Sequence, residues 1–206
     1  MFSELIKRTI TSIVIFVLTF YCFVKGSYFF NTLILLIFFT SIYEWYKLAL
    51  NKLLFIFFSF FSTYQIRFNL ENDQNLIFFL LIILVCVSTD IGGYIFGKIF
   101  KGPKLTKISP NKTYAGVVGG FLCSLILIYL ISIFLELFYK FNLVLISYIL
   151  FISLISQTGD LIVSYFKRLS NIKDTGKLIP GHGGILDRID GMIFAFPIIY
   201  IFELLF

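Results

Sequence analysis

Residues 143–168 read LVLISYILFISLISQTGDLIVSYFKR. From Leu143 to Tyr165 this stretch carries a single charge, Asp160. A helix that spans a bilayer needs about 20 mostly apolar residues, and this run has that length. Asp160, Ser164, Lys167 and Arg168 fall at i, i+4, i+7 and i+8, positions that share one helix face. A carboxylate near the end of an apolar span is expensive in lipid, so that face must turn to a polar cavity or a partner. The stretch therefore predicts a membrane helix with a polar site at its end.

The rest of the chain supports the membrane reading. Of 206 residues, 59% are hydrophobic and only 14% charged, with 28 Phe. Soluble domains run at roughly 45–50% apolar and about 25% charged. A soluble domain of this size cannot hide so much apolar surface, so lipid must cover part of it. Six further apolar segments precede and follow the quoted one: Thr9–Val24, Tyr28–Tyr43, Leu53–Tyr64, Asn75–Phe96, Tyr114–Phe138 and Gly191–Phe206. The third is short, as tilted, re-entrant or interfacial segments are. The first follows Lys7 and Arg8, as a signal peptide would. It runs on through bulky Phe16–Phe23 without a small-residue cleavage site, so a retained first helix is expected.

The basic residues give an orientation. With the N-terminus in the cytosol, 14 of the 17 Lys and Arg fall on cytosolic segments, leaving Lys25, Arg67 and Lys140 outside. Basic residues favour the cytosolic side, so the net charge of +6 reads as membrane topology, and no nucleic-acid partner is expected. The expected fold is all-α: a polytopic integral membrane protein of about seven transmembrane helices. It forms one membrane domain over residues 1–206, with less specific helices in 1–80 and the catalytic part in 81–206. Both long polar loops, 97–113 and 166–190, then share the cytosolic face. Cys22, Cys86 and Cys123 lie far apart in apolar stretches, so neither a disulfide framework nor a Cys/His metal site is expected. No repeat or pair of broken helices suggests a transporter.

The last third concentrates polar chemistry. Lys173-Asp174-Thr-Gly176 leads to Pro180-Gly181-His182-Gly183-Gly184, a turn that cannot continue a helix. Its glycines let the backbone approach a ligand, and successive amides in such a turn form an anion-binding nest. Asp187 and Asp190, at i and i+3, open the last helix. One of them serves as a cap. Two, together with Asp160, suggest oxygen ligands for Mg²⁺, which takes a few carboxylates plus substrate phosphates. Lys167, Arg168, Lys173 and Arg188 supply positive charge for phosphate oxygens. His182, the only histidine, is suited to a hydrogen bond to phosphate or to acid chemistry. Earlier, Asp90 is an intramembrane acid and so a functional candidate. Gly93 and Gly97 after it form a small-xxx-small pair for close helix packing. Ser109-Pro110-Asn111-Lys112-Thr113 then precedes a helix whose N-terminus suits phosphate.

These residues resemble a known family. The run from Ser164 through Phe166-Lys167-Arg168, Lys173-Asp174, Gly176, Ile179-Pro180, His182-Gly183-Gly184-Ile185 and Asp187-Arg188-Ile189-Asp190 is similar to the signature of phosphatidate cytidylyltransferases, also called CDP-diacylglycerol synthases. Gly159-Asp160 and the Asp90…Ser109-Pro110-x-Lys112-Thr113 region look like that family too, as does the short Glu44-Trp45 pair. Where the family usually reads Ser-Pro-Lys-Lys-Thr-x-Glu-Gly, this chain has Asn111 and Ala115.

The resemblance implies transfer of CMP from CTP to phosphatidate, giving CDP-diacylglycerol and pyrophosphate. It implies Mg²⁺ dependence with room for a second cation such as K⁺, a homodimer, and an inner-membrane location with the active site on the cytosolic face. The catalytic set is Asp160, Ser164, Lys167, Arg168, Lys173, Asp174, His182, Asp187, Arg188 and Asp190. Substrate contacts fall to Asp90, Ser109, Pro110, Lys112, Thr113, Gly183 and Gly184, and the metal to Asp160, Asp187 and Asp190. A cytidylyltransferase acting on another lipid phosphate would share the motif. The Asp-rich pattern of CDP-alcohol phosphotransferases is absent from the sequence. A cation transporter would spread its polar residues along a pathway, whereas here they cluster at one face.

Overall fold

The computed structural model describes residues 11, 14–15, 17–22, 25, 27–48, 53–68, 74–106, 109, 112–135, 142–176, 178–179 and 183–205. The helices are α1 (Ser27–Trp45), α2 (Leu53–Phe68), α3 (Gln74–Phe100), α4 (Tyr114–Leu135), α5 (Leu143–Leu169), α6 (Leu186–Ile189) and α7 (Met192–Leu205). The all-helical expectation holds. Among the described residues the β-pairings are two isolated bridges, Lys104–Thr113 and Ile179–Gly183.

Apolar helices suit this sequence because lipid offers no partner to a free amide or carbonyl. The hydroxyls inside the spans obey the same constraint by bonding back to their own helix. Thr40 donates to the Leu36 carbonyl at 2.8 Å, Ser88 to Val85 at 3.0 Å, and Ser147 to Val144 at 2.8 Å. Helix starts are capped by side chains. The Thr113 hydroxyl accepts from the Gly116 amide at 3.1 Å ahead of α4, and Asn142 accepts from the Leu145 amide at 2.9 Å ahead of α5.

Helices α1, α3, α4 and α5 are long and apolar enough to cross a membrane, and the chain is a membrane protein. Helix α2, at 16 residues, and α7, at 14, are shorter. The first apolar stretch, Thr9–Val24, lies largely outside the described residues.

The chain forms two compact units, Met1–Phe60 with Phe166–Ile189, and Phe61–Tyr165 with Asp190–Phe206. In the first, Phe30, Trp45 and Ile56 are buried, and Phe38 meets the rings of Phe57 and Phe60, each at 5.1 Å. In the second, buried residues of α3 (Phe79, Ile82, Val85), α5 (Ile149, Ile152) and α7 (Ala195, Ile199) make the core.

The approach of α3 to α4 depends on glycine. A Cβ on Gly116 would sit 2.7 Å from the Gly93 carbonyl oxygen, and one on Gly92 would strike the Gly119 carbonyl. Small residues let membrane helices reach backbone contact, as the Gly93/Gly97 spacing predicted. Gly116→Val should therefore force the helices apart and cost about 1–3 kcal/mol. Denaturant unfolding of the detergent-solubilised variant measures it.

Candidate active site

The second unit carries Asp160. Its carboxylate is ion-paired to Lys112, and the Ser164 hydroxyl donates to Oδ1 at 3.3 Å. The side chains of Lys112 and Asp160 remain 27% and 26% exposed, so the pair meets solvent. Lys112 is held by backbone. The Leu105 amide donates to the Lys112 carbonyl at 2.8 Å and the Tyr114 amide to the Pro103 carbonyl at 3.2 Å. Ser109 donates its amide to the Thr106 hydroxyl at 3.2 Å. One turn before Asp160, the Gln157 amide nitrogen lies 3.4 Å from the Ser153 hydroxyl, which receives Thr89 at 2.8 Å. Asp90, on α3, is exposed. Pro110 lies outside the described residues.

The first unit carries Asp187. Its Oδ1 accepts from Lys167 Nζ at 3.0 Å, and Oδ2 accepts from the amides of Thr175 at 2.9 Å and Gly184 at 3.0 Å. Their side chains are only 11% and 6% exposed for Lys167 and Asp187, so this is a nearly buried pair. The end of α5 aims Lys167 and Arg168. Asn171 adopts φ 54°, the Ile172 amide bonds the Lys167 carbonyl at 2.9 Å, and the Asn171 amide bonds Arg168 at 3.0 Å. This is the Schellman arrangement, with Asn in place of the usual Gly. Arg168, Lys173, Asp174 and Arg188 are exposed. Gly183 has φ 86°, and a Cβ there would stand 3.0 Å from Asp187 Oδ2. His182 lies outside the described residues.

A second carboxylate holds this loop from beneath. Glu44, at the end of α1, is fully buried. Its oxygens accept from the Thr175 hydroxyl at 3.1 Å, the Ile185 amide at 3.2 Å and the Leu186 amide at 2.8 Å.

Two sequence-based groupings look different in three dimensions. The helix face of Asp160, Ser164, Lys167 and Arg168 is divided by its partners: Asp160 takes Lys112, while Lys167 takes Asp187. Asp187 and Asp190 do not open one continuous helix. Helix α6 ends at Ile189 and α7 restarts at Met192. Gly191 interrupts it and lies flush against the Ser156 turn of α5, where a Cβ would strike the Ser156 hydroxyl. Asp190 is buried at that joint, accepting from the Gly191 amide at 2.9 Å.

Among the described residues, no three His, Cys, Asp or Glu side chains form a ready-made ion cage. Mg²⁺ does not demand one, since it takes one or two carboxylates, waters and substrate phosphates. Asp160 fits that chemistry. Its hard oxygens are partly exposed, and its partners are a hydroxyl and a solvent-exposed ammonium.

Each unit thus carries an acid–lysine pair, and the first adds glycine amides on its acid, which are parts suited to phosphate chemistry. The model of the cytidylyltransferase family matches residues 49–206. The chain belongs to that family. Relatives named phosphatidate cytidylyltransferase include proteins of Staphylococcus haemolyticus, 42% identical over 138 residues, and Staphylococcus saprophyticus, 40% identical over 131. The first alignment covers 65% of this chain and 52% of the relative, the second 63% and 50%. A Staphylococcus aureus protein of the same name is 38% identical over 134 residues. The chain spans about half the length of these relatives.

In this cytidylyltransferase-family chain, Glu44 and Thr175 bond the segment that carries Asp187, and the sequence reading placed neither among its site residues. The signal for Glu44 was present: it is an acid at the end of an apolar helix, the criterion that picked out Asp90 and Asp160. Thr175 carries no such signal.

Proposed function

We propose that the protein transfers CMP from CTP to phosphatidate, giving CDP-diacylglycerol and pyrophosphate. The observation that carries this reading is the Asp160–Lys112 pair, partly open at the end of a membrane-length helix. It sets an acid for a cation and a base for phosphate where a lipid head group and a soluble nucleotide can both arrive. Family membership and the names of the relatives support the same reaction.

Phosphoryl-type transfer asks a protein for positioning and charge neutralisation more than for covalent chemistry. The phosphatidate oxygen is already ionised, so it can attack the α-phosphate of CTP in line without a strong general base. A bond forms between that oxygen and the α-phosphorus, and the bond to the β-phosphate bridging oxygen breaks. Pyrophosphate takes the electron pair. Lys112, Arg168, Lys173 and Arg188 are proposed to neutralise phosphate oxygens, with Lys167 held by Asp187. Asp90, Ser109, Pro110, Thr113 and the Gly183-Gly184 amides are proposed to contact substrate. Ser164, Asp174 and His182 complete the proposed catalytic set.

Mg²⁺, with room for K⁺, is proposed on the carboxylate set that the sequence singles out, Asp160, Asp187 and Asp190. When bound, the ion would polarise phosphate oxygens. Asp160 is open to it as it stands. On Asp187 three protein donors take most of the carboxylate's acceptor sites, which leaves room on Oδ1 beside Lys167.

The test is purified protein with CTP, Mg²⁺ and either phosphatidate or a different lipid phosphate. Product with phosphatidate, lost on adding EDTA, supports the reading. Product only with the other lipid phosphate, or undiminished by EDTA, refutes the substrate or the metal.

We further propose seven spans, an inner-membrane location and a cytosolic N-terminus, with the chain acting as a homodimer. Single cysteines introduced at Lys101 and Lys173 in a variant lacking native cysteines should react with membrane-impermeant maleimide only in broken cells. Reaction in intact cells would reverse the orientation. The mass of the solubilised protein by light scattering tests the dimer.

A further inference from the structure

Two short segments, Thr175–Gly176 and Gly183–Leu186, form one strap on the buried carboxylate of Glu44, which lies outside the signature run. That carboxylate is spent entirely on the strap. Oε1 accepts from the Ile185 amide, and Oε2 accepts from both the Leu186 amide and the Thr175 hydroxyl. The strap fits around it so closely that a Cβ on Gly176 would strike Oε1, and one on Gly184 would strike the Thr175 hydroxyl. A polar group with no solvent is costly to bury unless each acceptor meets a donor, and here each does.

What Glu44 holds matters for the site. Ile185 and Leu186 are the residues immediately before Asp187, and Leu186 opens α6. Thr175 offers its hydroxyl to Glu44 and its amide to Asp187. Gly184 gives its amide to Asp187 and lies against Glu44. Two acids thus clamp the same strap, one of them inside the family-like signature and the other about 130 residues away in sequence, since Glu44 and Thr175 are separated by 131 positions.

We infer that Glu44 is a positioning residue that sets the strap of Thr175–Gly176 and Gly183–Leu186, and with it Asp187 and the Gly184 amide, in the geometry that receives the CTP phosphates. This inference rests on the proposed cytidylyl-transfer reaction. It assigns Glu44 no contact with substrate; it acts through the strap.

The chemistry makes the role testable by an isosteric change. In Glu44→Gln, one oxygen becomes an NH₂ group. Either orientation of the amide then sets that NH₂ against a backbone N–H, of Ile185 in one and of Leu186 in the other. A main-chain amide cannot turn away as a hydroxyl can. Thr175→Val removes only the hydroxyl donor at nearly constant volume, and Thr175→Ser restores it.

The experiment uses the full chain in detergent or nanodiscs and measures CDP-lipid formation against CTP concentration, thermal unfolding, and hydrogen exchange of the strap amides. The wild-type protein is the control for the reaction itself: if it makes no CDP-lipid, the proposed function fails, and hydrogen exchange alone then reports on the clamp. With an active wild type, Glu44→Gln and Thr175→Val are expected to raise KM for CTP about tenfold, the scale of one lost buried hydrogen bond. KM for phosphatidate should change little, strap exchange should quicken, and Thr175→Ser should restore both. If Glu44→Gln fails to fold, the Thr175 pair carries the test. The inference is overturned if strap exchange quickens with KM for CTP unchanged, if KM for both substrates and the unfolding temperature move together, or if Thr175→Ser behaves as Thr175→Val.

Discussion

Asp160→Asn is expected to lower turnover by about 10³-fold or more, the scale on which loss of a group that stabilises transition-state charge is felt. The substitution keeps size and shape, and the Ser164 hydroxyl can still donate to the remaining oxygen. What disappears is the negative charge that faces Lys112 and would attract a cation. Both side chains are about a quarter exposed, so solvent screens the ion pair in part and its loss costs less than breaking a buried pair. Thermal unfolding should therefore stay close to wild type while CDP-lipid formation, measured at saturating CTP and phosphatidate, collapses. An Asp160→Asn protein with near-normal turnover would remove Asp160 from the mechanism.

Asp187→Ala is expected to act in a second way, through stability as well as activity. It takes from the Lys167 ammonium and from the amides of Thr175 and Gly184 the carboxylate acceptor that all three share. Removing one partner of a nearly buried pair costs about 3–5 kcal/mol. Lys167→Met should cost less, because the Asp187 carboxylate it leaves behind keeps two backbone donors. The Lys167→Met/Asp187→Ala double variant should be less destabilised than the two single changes together, since each change removes the same ion pair. Denaturant titration in a fixed detergent gives all three values. Equal losses for Asp187→Ala and Lys167→Met would show that the amides do not matter.

The membrane helices were legible because each is a local property. Helices α1, α3, α4 and α5 begin within a residue or so of the apolar segments read from the sequence. Their ends were harder. Helix α5 runs on past Tyr165 to Leu169 and stops at Asn171, a cap whose left-handed backbone a hydropathy pattern does not encode. The spacing of Asp187 and Asp190 implied that both open the last helix, whereas α6 ends at Ile189 and α7 starts at Met192, with Gly191 between them packed on Ser156, a contact from far away in sequence.

The candidate site followed the same division. Its residue types were visible, since acids in apolar stretches and clustered lysines stand out against so uniform a background. Their partners were not. Nothing in the local sequence ties Lys112 to Asp160, or separates Lys167 from it. Glu44 shows the limit most clearly: its environment is made by Thr175, Ile185 and Leu186, and only the folded chain brings them to it. Ala115, where the family usually has a carboxylate, lies in the first turn of α4 two residues after the Thr113 cap.

The central claim is that the bond broken lies between the α- and β-phosphates of CTP and that the CMP part passes to a lipid. One measurement addresses it directly: purified protein is incubated with phosphatidate, Mg²⁺ and CTP labelled either on the α-phosphate or on the γ-phosphate, and the lipid and aqueous fractions are counted. The account predicts α-label in the lipid fraction and γ-label in the aqueous fraction as pyrophosphate. Lipid-bound γ-label, or no lipid-bound label from either substrate, would contradict it.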